Sequence, residues 1–192
     1  MPRDSFQDVS DEALLVLYAN GDPNAARVLT MRLTPKVMGH AYRMLGDRAE
    51  AEDTAQEALI RLWKQAPDWR QGEAKVTTWL YRVVANLCTD KLRKTRGVAL
   101  DAVPEPEDET ASAAEQMQQK SRLDALQAGL NTLPERQKQA VILRHIEGLS
   151  NPEIAEIMEV GVEAVESLTA RGKRALAKAL AGRKEELGYS DG

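Results

Sequence analysis

Chemistry-bearing residues concentrate between Ala49 and Arg96, AEAEDTAQEALIRLWKQAPDWRQGEAKVTTWLYRVVANLCTDKLRKTR, a stretch that begins acidic and ends basic. Asp53, Gln56 and Glu57 lie three and four positions apart, so a helix would put them on one exposed face. Trp63, Trp69, Trp79 and Tyr81 follow, which takes in all 3 tryptophans of a chain that is only 4% aromatic. Lys91, Arg93, Lys94 and Arg96 close the stretch. An acidic-polar face suits a protein partner. Cations beside exposed rings suit nucleic acid, because cations neutralise phosphates and rings stack on unpaired bases. One stretch with both surfaces could join a protein machine to DNA. An amphipathic helical pair with solvated charges would use the same residues.

A second candidate surface lies further on. Ser150-Asn151-Pro152-Glu153 has the form of a capping box, serine at the cap and glutamate three residues later. It predicts a short helix with Ile154, Ala155 and Met158 inward. Glu159-Val160-Gly161 reads as a tight connection in which Gly161 is free to take a positive φ. Val162, Val165, Leu168 and Leu176 then form the buried stripe of a longer helix. Short helix, glycine-containing turn and longer helix make a helix-turn-helix, whose second helix enters the major groove with its N-terminal part at the base edges. Its outward face would carry Glu163, Glu166, Ser167, Ala170, Arg171, Arg174 and Lys178. Arg171 can bond guanine through two hydrogen bonds, and Ser167 can reach a base or a phosphate. Lys173, Arg174 and Lys178 suit phosphate clamps. Glu163 and Glu166 repel phosphates unless they accept from cytosine amino groups. The plainer alternative is a helical hairpin with a solvated charged face.

Catalytic and metal chemistry leave no trace. His40 and His145 are far apart, neither has a cysteine or carboxylate at a ligand spacing, and each reads as a surface or helix-face residue. The single cysteine, Cys88, allows no internal disulfide and sits among apolar helix positions as an inert core thiol. No nucleophile motif and no phosphate-binding glycine loop is present. The expectation is a protein that is not an enzyme and takes no cofactor and no metal.

The elements that must position these residues are helical, since strand alternation is nearly absent. Ser10 caps a first helix that stops at Gly21. Asp22-Pro23 reads as cap plus first helical position of a second helix, with Ala26, Leu29 and Leu33 on one face. Thr34-Pro35 is expected to begin a new segment, because an interior proline breaks or kinks a helix. Gly46-Asp47 ends that segment and caps the next, which runs to about Gln65. After a loop, Thr77 is expected to cap a helix to about Lys94. Residues 97–113, with Asp101, Pro104, Glu105, Pro106, Glu107, Asp108 and Glu109, read as a flexible acidic linker: a solubilising spacer, or a nucleic-acid mimic inside a partner's channel. Beyond it, Leu123, Leu126 and Leu130 should face inward on a helix over 114–130, and a further helix carries Ala140, Val141, Leu143 and Arg144 to Gly148. The expectation is an all-α chain of two small helical domains, 1–96 and 114–192. With 192 residues, 43% hydrophobic and 29% charged, the chain fits a globular class, and its net charge of −4 argues against a general nucleic-acid coat protein. The longest apolar run, Ala13–Ala19, is too short to span a bilayer, and the acidic N-terminus lacks signal-peptide features, so a cytoplasmic protein without membrane insertion is expected.

Taken together, these residues resemble a bacterial RNA polymerase sigma factor of the extracytoplasmic-function group. AEDTAQEALIRLWK resembles the region-two helix that grips the polymerase clamp. TTWLYRVVANLCTDKLRK resembles the segment that reads and opens the −10 element. LNTLPERQKQAVILRHIEGLSNPEIAEIMEVGVEAVESLTARGKRAL resembles region four, which reads the −35 element. The resemblance implies core-polymerase binding by Asp53, Gln56, Glu57, Ile60 and Arg61. It implies −10 contacts by Lys75, Thr77, Thr78, Arg82, Asn86, Lys91, Arg93, Lys94 and Arg96. It implies −35 contacts by Ser167, Arg171, Lys173, Arg174 and Lys178, with core polymerase, promoter DNA and an anti-sigma factor as partners. The family pocket holds a flipped base, which is readable on its Watson–Crick edge only once it has left the stack. Trp63 and Trp79 are expected to pack rather than stack on bases. The chain departs from the family where Glu163-Ala164 stand in place of a common Gly-Thr, where Glu166 replaces a common basic residue, and where Leu59-Ile60 replace a common aromatic. A free-standing helix-turn-helix regulator and a sigma-like decoy that binds a regulator but no DNA are the competing readings.

Overall fold

The computed structural model describes residues 6–96 and 114–182, and every regular element among them is a helix. They are α1 (Asp11–Ala19), α2 (Pro23–Leu45), α3 (Arg48–Gln65), α4 (Val76–Arg96), α5 (Ala114–Asn131), α6 (Glu135–Val141), α7 (Asn151–Met158) and α8 (Val162–Ala181). A 3-10 turn follows α3, and a π-helical turn, Ile142–Ile146, extends α6. The expected acidic linker, 97–113, lies outside the described residues.

Short polar side chains start four of these helices. Ser10 accepts from the Ala13 amide at 3.2 Å, Asp22 from the Asn24 amide at 2.9 Å, Asp47 from the Glu50 amide at 3.0 Å and Ser150 from the Glu153 amide at 3.4 Å. Each such cap is worth about 1 kcal/mol, because it satisfies an amide with no partner inside its helix. The capping box is half-formed, since the Glu153 carboxylate turns to Lys75 instead.

Three local expectations yield to tertiary packing. First, α2 runs unbroken through Pro35. An internal proline costs roughly 3 kcal/mol, but Leu29, Leu33, Val37, Ala41 and Met44 form one buried stripe on both sides of it. Burying each large side chain returns about 1.5–3 kcal/mol, so the stripe outweighs the break. Second, Thr77 does not cap α4. The Trp79 amide donates to the Lys75 carbonyl at 3.1 Å, which makes Lys75 the cap position. The free Val76 amide donates to Glu12 Oε1 at 2.8 Å, so a carboxylate from α1 does what Thr77 was expected to do. Third, Leu123 is 56% exposed instead of inward. α5 meets α8 through its small residues: a Cβ on Gly129 would stand 2.9 Å from Leu176 Cδ1, so the closest approach selects the Ala125–Gly129 face.

The core has two parts. The larger gathers Leu14, Leu29, Leu33, Met44, Leu62, Leu80 and Cys88 from the N-terminal helices and takes in Leu130, Leu133, Val141 and Ile142 from the C-terminal ones. The smaller joins Ala140, Leu143, Ile154, Ile157, Met158 and Val165, and its remaining member is Tyr81 of α4. The two halves of the chain therefore share both parts of the core. His40 is also inside: expected on a helix surface, it is fully buried on α2, edge-on to the Tyr81 ring at 5.2 Å. The periodicity that buries Val37, Ala41 and Met44 carries position 40 in with them. Burial, and then the Arg43 charge, lower its pKa to about 4.

The α7–α8 turn corrects a further point. Glu159, at φ 57° and ψ 46°, takes the left-handed conformation, while Gly161 is extended at φ −76° and serves as the cap position of α8. The turn reverses one residue after α7 ends, and that position falls on glutamate. Val162, expected in the buried stripe, is 40% exposed; Val165 is the first fully buried residue of α8. Gly172 sets how closely α8 packs: a Cβ there would lie 2.5 Å from Val141 Cγ2 and 2.9 Å from the Gln137 carbonyl.

Candidate protein and nucleic-acid interfaces

α3 buries Ala51, Thr54, Ala55, Ala58 and Leu62, which turns the opposite side outward. Asp53, Gln56, Ile60 and Arg61 are exposed there and Glu57 is half-exposed. Arg61 Nε donates to Glu57 Oε1 at 3.0 Å across one helical turn, and Ile60, 45% exposed, is an apolar centre in this polar strip. Charge around an exposed apolar residue suits a protein partner.

At its edge the strip is tied to α4. Lys91 Nζ donates to Glu50 Oε2 at 2.6 Å and to Asp53 Oδ2 at 2.7 Å. Burial works against the Lys91 charge, but the hydrogen bonds and charges of Asp53 and Glu50 hold its pKa above the ordinary value. Lys91 thus joins the α3 strip, while Arg93 and Lys94 stay exposed and Arg96 closes α4 at the edge of the described residues.

Along α4, Lys75, Thr78, Arg82, Asn86 and Arg93 recur at three-, four- and seven-residue steps, so they follow one side of the helix. Asn86 is exposed, Thr77 and Arg82 are half-buried, and Thr78 is buried. The aromatics pack: Trp69 and Trp79 meet edge-to-face at 6.2 Å, and Tyr18 lies against Trp63 at 4.7 Å. Trp63 and Trp79 join the main core as partly buried members.

The C-terminal helices reach this side of α4 through glutamates to which sequence reasoning assigned at most a cap or a turn position. Glu147, in the turn before α7, accepts from Tyr81 Oη at 2.9 Å and pairs with Arg43 at 3.7 Å. Burial and then the Glu147 charge push the Tyr81 pKa up, so the phenol stays a donor. Glu153 pairs with Lys75 at 3.4 Å. Arg82 donates to the Glu156 carbonyl at 2.7 Å and lies 3.9 Å from the Glu159 carboxylate. The hydrogen-bonded pairs onto α4 are 66 to 78 positions apart, beyond the reach of any local pattern.

On α8, Glu163, Glu166, Ser167, Ala170, Arg171, Lys173, Arg174 and Lys178 are all exposed. Nothing among the described residues groups three metal-ligating side chains. Cys88 is fully buried, and burial pushes its thiol pKa up to about 12, so it is not a nucleophile at neutral pH. No described helix is long and apolar enough to cross a membrane.

The sigma-70 region 2 family matches residues 29–98, and the sigma-70 region 4 family matches residues 123–176. The chain is 36% identical over 154 residues to the ECF RNA polymerase sigma factor SigE of Mycolicibacterium smegmatis, covering 78% of this chain but only 59% of that relative. It is 32% identical to the RNA polymerase sigma-H factor of Pseudomonas aeruginosa, covering 88% and 93% of the two chains, and 32% identical to SigW of Bacillus subtilis, covering 83% and 91%. In fold it is similar to CnrH, solved with the cytosolic domain of CnrY, at TM-score 0.67, 22% identity and coverage of 90% and 97%. It is also similar to the sigma factor RpoE of Bartonella quintana, solved with the anti-sigma factor NepR, at TM-score 0.65, 21% identity and coverage of 81% and 96%. The chain belongs to the extracytoplasmic-function group of bacterial RNA polymerase sigma factors, which initiate transcription and are not enzymes.

Proposed function

We propose a division of labour among three surfaces of this sigma factor. The α3 strip of Asp53, Gln56, Glu57, Ile60 and Arg61 binds core RNA polymerase. The α4 face, with Lys75, Thr77, Thr78, Arg82, Asn86, Arg93, Lys94 and Arg96, binds and helps open the −10 element, where a flipped base meets small polar side chains. Lys91 acts at the junction of the two. The outer face of α8 reads the −35 element through Ser167 and Arg171, with Lys173, Arg174 and Lys178 on phosphates. The observation that carries the reading is the placement of the protein-facing and DNA-facing residues on adjacent helices, α3 and α4, joined by the Lys91–Asp53 contact.

The chain acts in the cytoplasm, and an anti-sigma factor holds it inactive by covering polymerase-binding surfaces. Run-off transcription from a promoter-fragment library, with core polymerase and the purified chain, tests the reading. A promoter-dependent product is expected, and D53K/E57K should abolish it together with core binding. Product that persists with the charge-reversed chain would overturn the α3 assignment. A free-standing helix-turn-helix regulator would instead bind duplex DNA tightly without polymerase.

A further inference from the structure

The outward side of α8 divides by charge along its length. Glu163 and Glu166 stand in its N-terminal part, and Arg171, Lys173, Arg174 and Lys178 follow, all exposed. A helix-turn-helix presents the N-terminal part of its second helix to the base edges. The two carboxylates therefore sit at the end that enters the groove, where the phosphates of both strands oppose them.

Helix chemistry accounts for Glu163 but not for Glu166. Glu163 follows Val162 in the first turn of α8, where the free amides of the helix end favour an acid. That effect falls away within one turn, and Glu166 lies beyond it. On α3, exposed acids have a cation one turn away: Glu52 pairs with Arg48 at 3.4 Å and Glu57 with Arg61 at 3.0 Å. The positions three and four residues from Glu166 are Val162, Glu163, Thr169 and Ala170, which offer one like charge and no cation. Glu166 makes no hydrogen bond and no ion pair among the described residues. Its charge disfavours both the helix and the approach of a phosphate backbone, and nothing in the fold offsets either effect.

A donor in the groove would offset both. A carboxylate can only accept hydrogen bonds. Guanine shows it the acceptors N7 and O6, and thymine the acceptor O4, so both repel it. Adenine shows the N6 amino group but sets the N7 lone pair beside it, whereas cytosine shows the N4 amino group alone. We propose, resting on the −35 reading of the outer face of α8, that Glu166 is a specificity-determining residue that accepts from the N4 amino group of one cytosine in the major groove. Glu166 and Arg171 are five residues apart. At 1.5 Å per residue that is about 7.5 Å along α8, so the cytosine lies within about two base-pair steps of the guanine that Arg171 bonds. The same charge that selects cytosine rejects guanine and thymine at that position.

The test assembles core polymerase with the full chain and selects bound promoters from a pool. Each member is a promoter that passes the run-off assay, with its −35 element randomised. Wild type, E166Q, E163Q and R171A are compared. Glutamine keeps the shape of the side chain but adds an amide donor, which matches adenine N6 and N7 together. The wild type should favour cytosine at one position by roughly fivefold or more. E166Q should favour adenine there and leave every other position as it was. E163Q removes the same charge from the first turn and should leave cytosine favoured at that position. Unchanged base preferences in E166Q, with R171A still altering one position, overturn the role of Glu166 and leave the −35 reading of α8 standing. Unchanged preferences in R171A as well overturn both. A wild-type preference for any base but cytosine where E166Q acts overturns the amino-group assignment. A gain in binding by E166Q that is equal for all sequences and matched by E163Q reduces Glu166 to a repeller of phosphates and overturns its reading role.

Discussion

The two helices proposed to meet DNA are treated in opposite ways by the rest of the chain. α4 is a structural member as well as a proposed reader: Val76, Leu80, Val84 and Cys88 are buried, Tyr81 plugs the other half's core, and Lys75, Arg82 and Lys91 all have acidic or carbonyl partners. α8 buries Val165 and Gly172 along one edge and leaves the polar residues of its outer face exposed. Substitutions on α4 should therefore change folding and recognition together, while those on the outer face of α8 should change recognition alone. What couples the two is the buried edge of α8, and the sharpest way to break the comparison is to disturb that edge.

The largest expected effect is at Gly172. A valine there would drive its Cβ into Val141 Cγ2 at 2.5 Å and the Gln137 carbonyl at 2.9 Å. The carbonyl belongs to a helix and cannot rotate away, so overpacking should cost about 3 kcal/mol. Hydrogen exchange should show α6 and α8 losing protection while α3 keeps its own. Equal protection loss in α3 would mean that the halves unfold as one unit.

Next is His40, which supports α4 from below. Its folded pKa is lowered from 6.5 to about 4. The unfolded chain takes up its proton first as pH falls, so the stability this group contributes is whole above pH 6.5 and is lost on the way down to pH 4. The shift corresponds to about 3 kcal/mol. Arg43 lies beside the ring, and Tyr81 and Glu147 complete the charged and polar surroundings. Neither ring nitrogen has a hydrogen-bond partner among the described residues, so H40M should cost little at pH 7 and remove the acid-limb slope. Urea titrations of both proteins from pH 7 to pH 4 measure this, and parallel curves would exclude His40 as the source.

Recognition gives a smaller and more selective effect. R171A should lose about 1–3 kcal/mol at a single base pair of the −35 element and leave the melting temperature unchanged. R82A should weaken −10 binding and also lower the melting temperature, because it removes the bond to the Glu156 carbonyl. Binding to a panel of single-base promoter variants, run beside thermal melts, separates the two. Matching behaviour at the two arginines would end the contrast between the helices.

The same contrast marks what could be read from sequence. Caps at Ser10, Asp22, Asp47 and Ser150 were legible because each acts within three residues. The α3 strip and the outer face of α8 were legible as exposed faces because helical periodicity places them. Pro35 and Thr77 were misread because their outcomes depend on packing across the fold: the buried stripe that carries α2 through the proline, and Glu12 at the start of α4. Glu147 and Glu159 carried no local signal for their role against α4. Glu153 showed only its capping position, and the lysine it binds lies 78 residues away.

The smallest effect concerns the turn that aims α8. Gly46 and Glu159 both end a helix in the left-handed region, at φ 69° and φ 57°. Glycine does so without strain, whereas glutamate loses roughly 1 kcal/mol. Only the Arg82 pair at 3.9 Å, with side chains 40% and 70% exposed, stands against that loss, and at such exposure it is worth little after solvent screening. A residue that pays strain for a weak contact is poorly placed for stability but well placed to hold α7 against α4. E159N, which tolerates the left-handed region better, should raise the melting temperature by a few degrees, while E159Q, which keeps the strain and drops the charge, should not. Equal melting temperatures for the two variants would show that the backbone at residue 159 stores no strain.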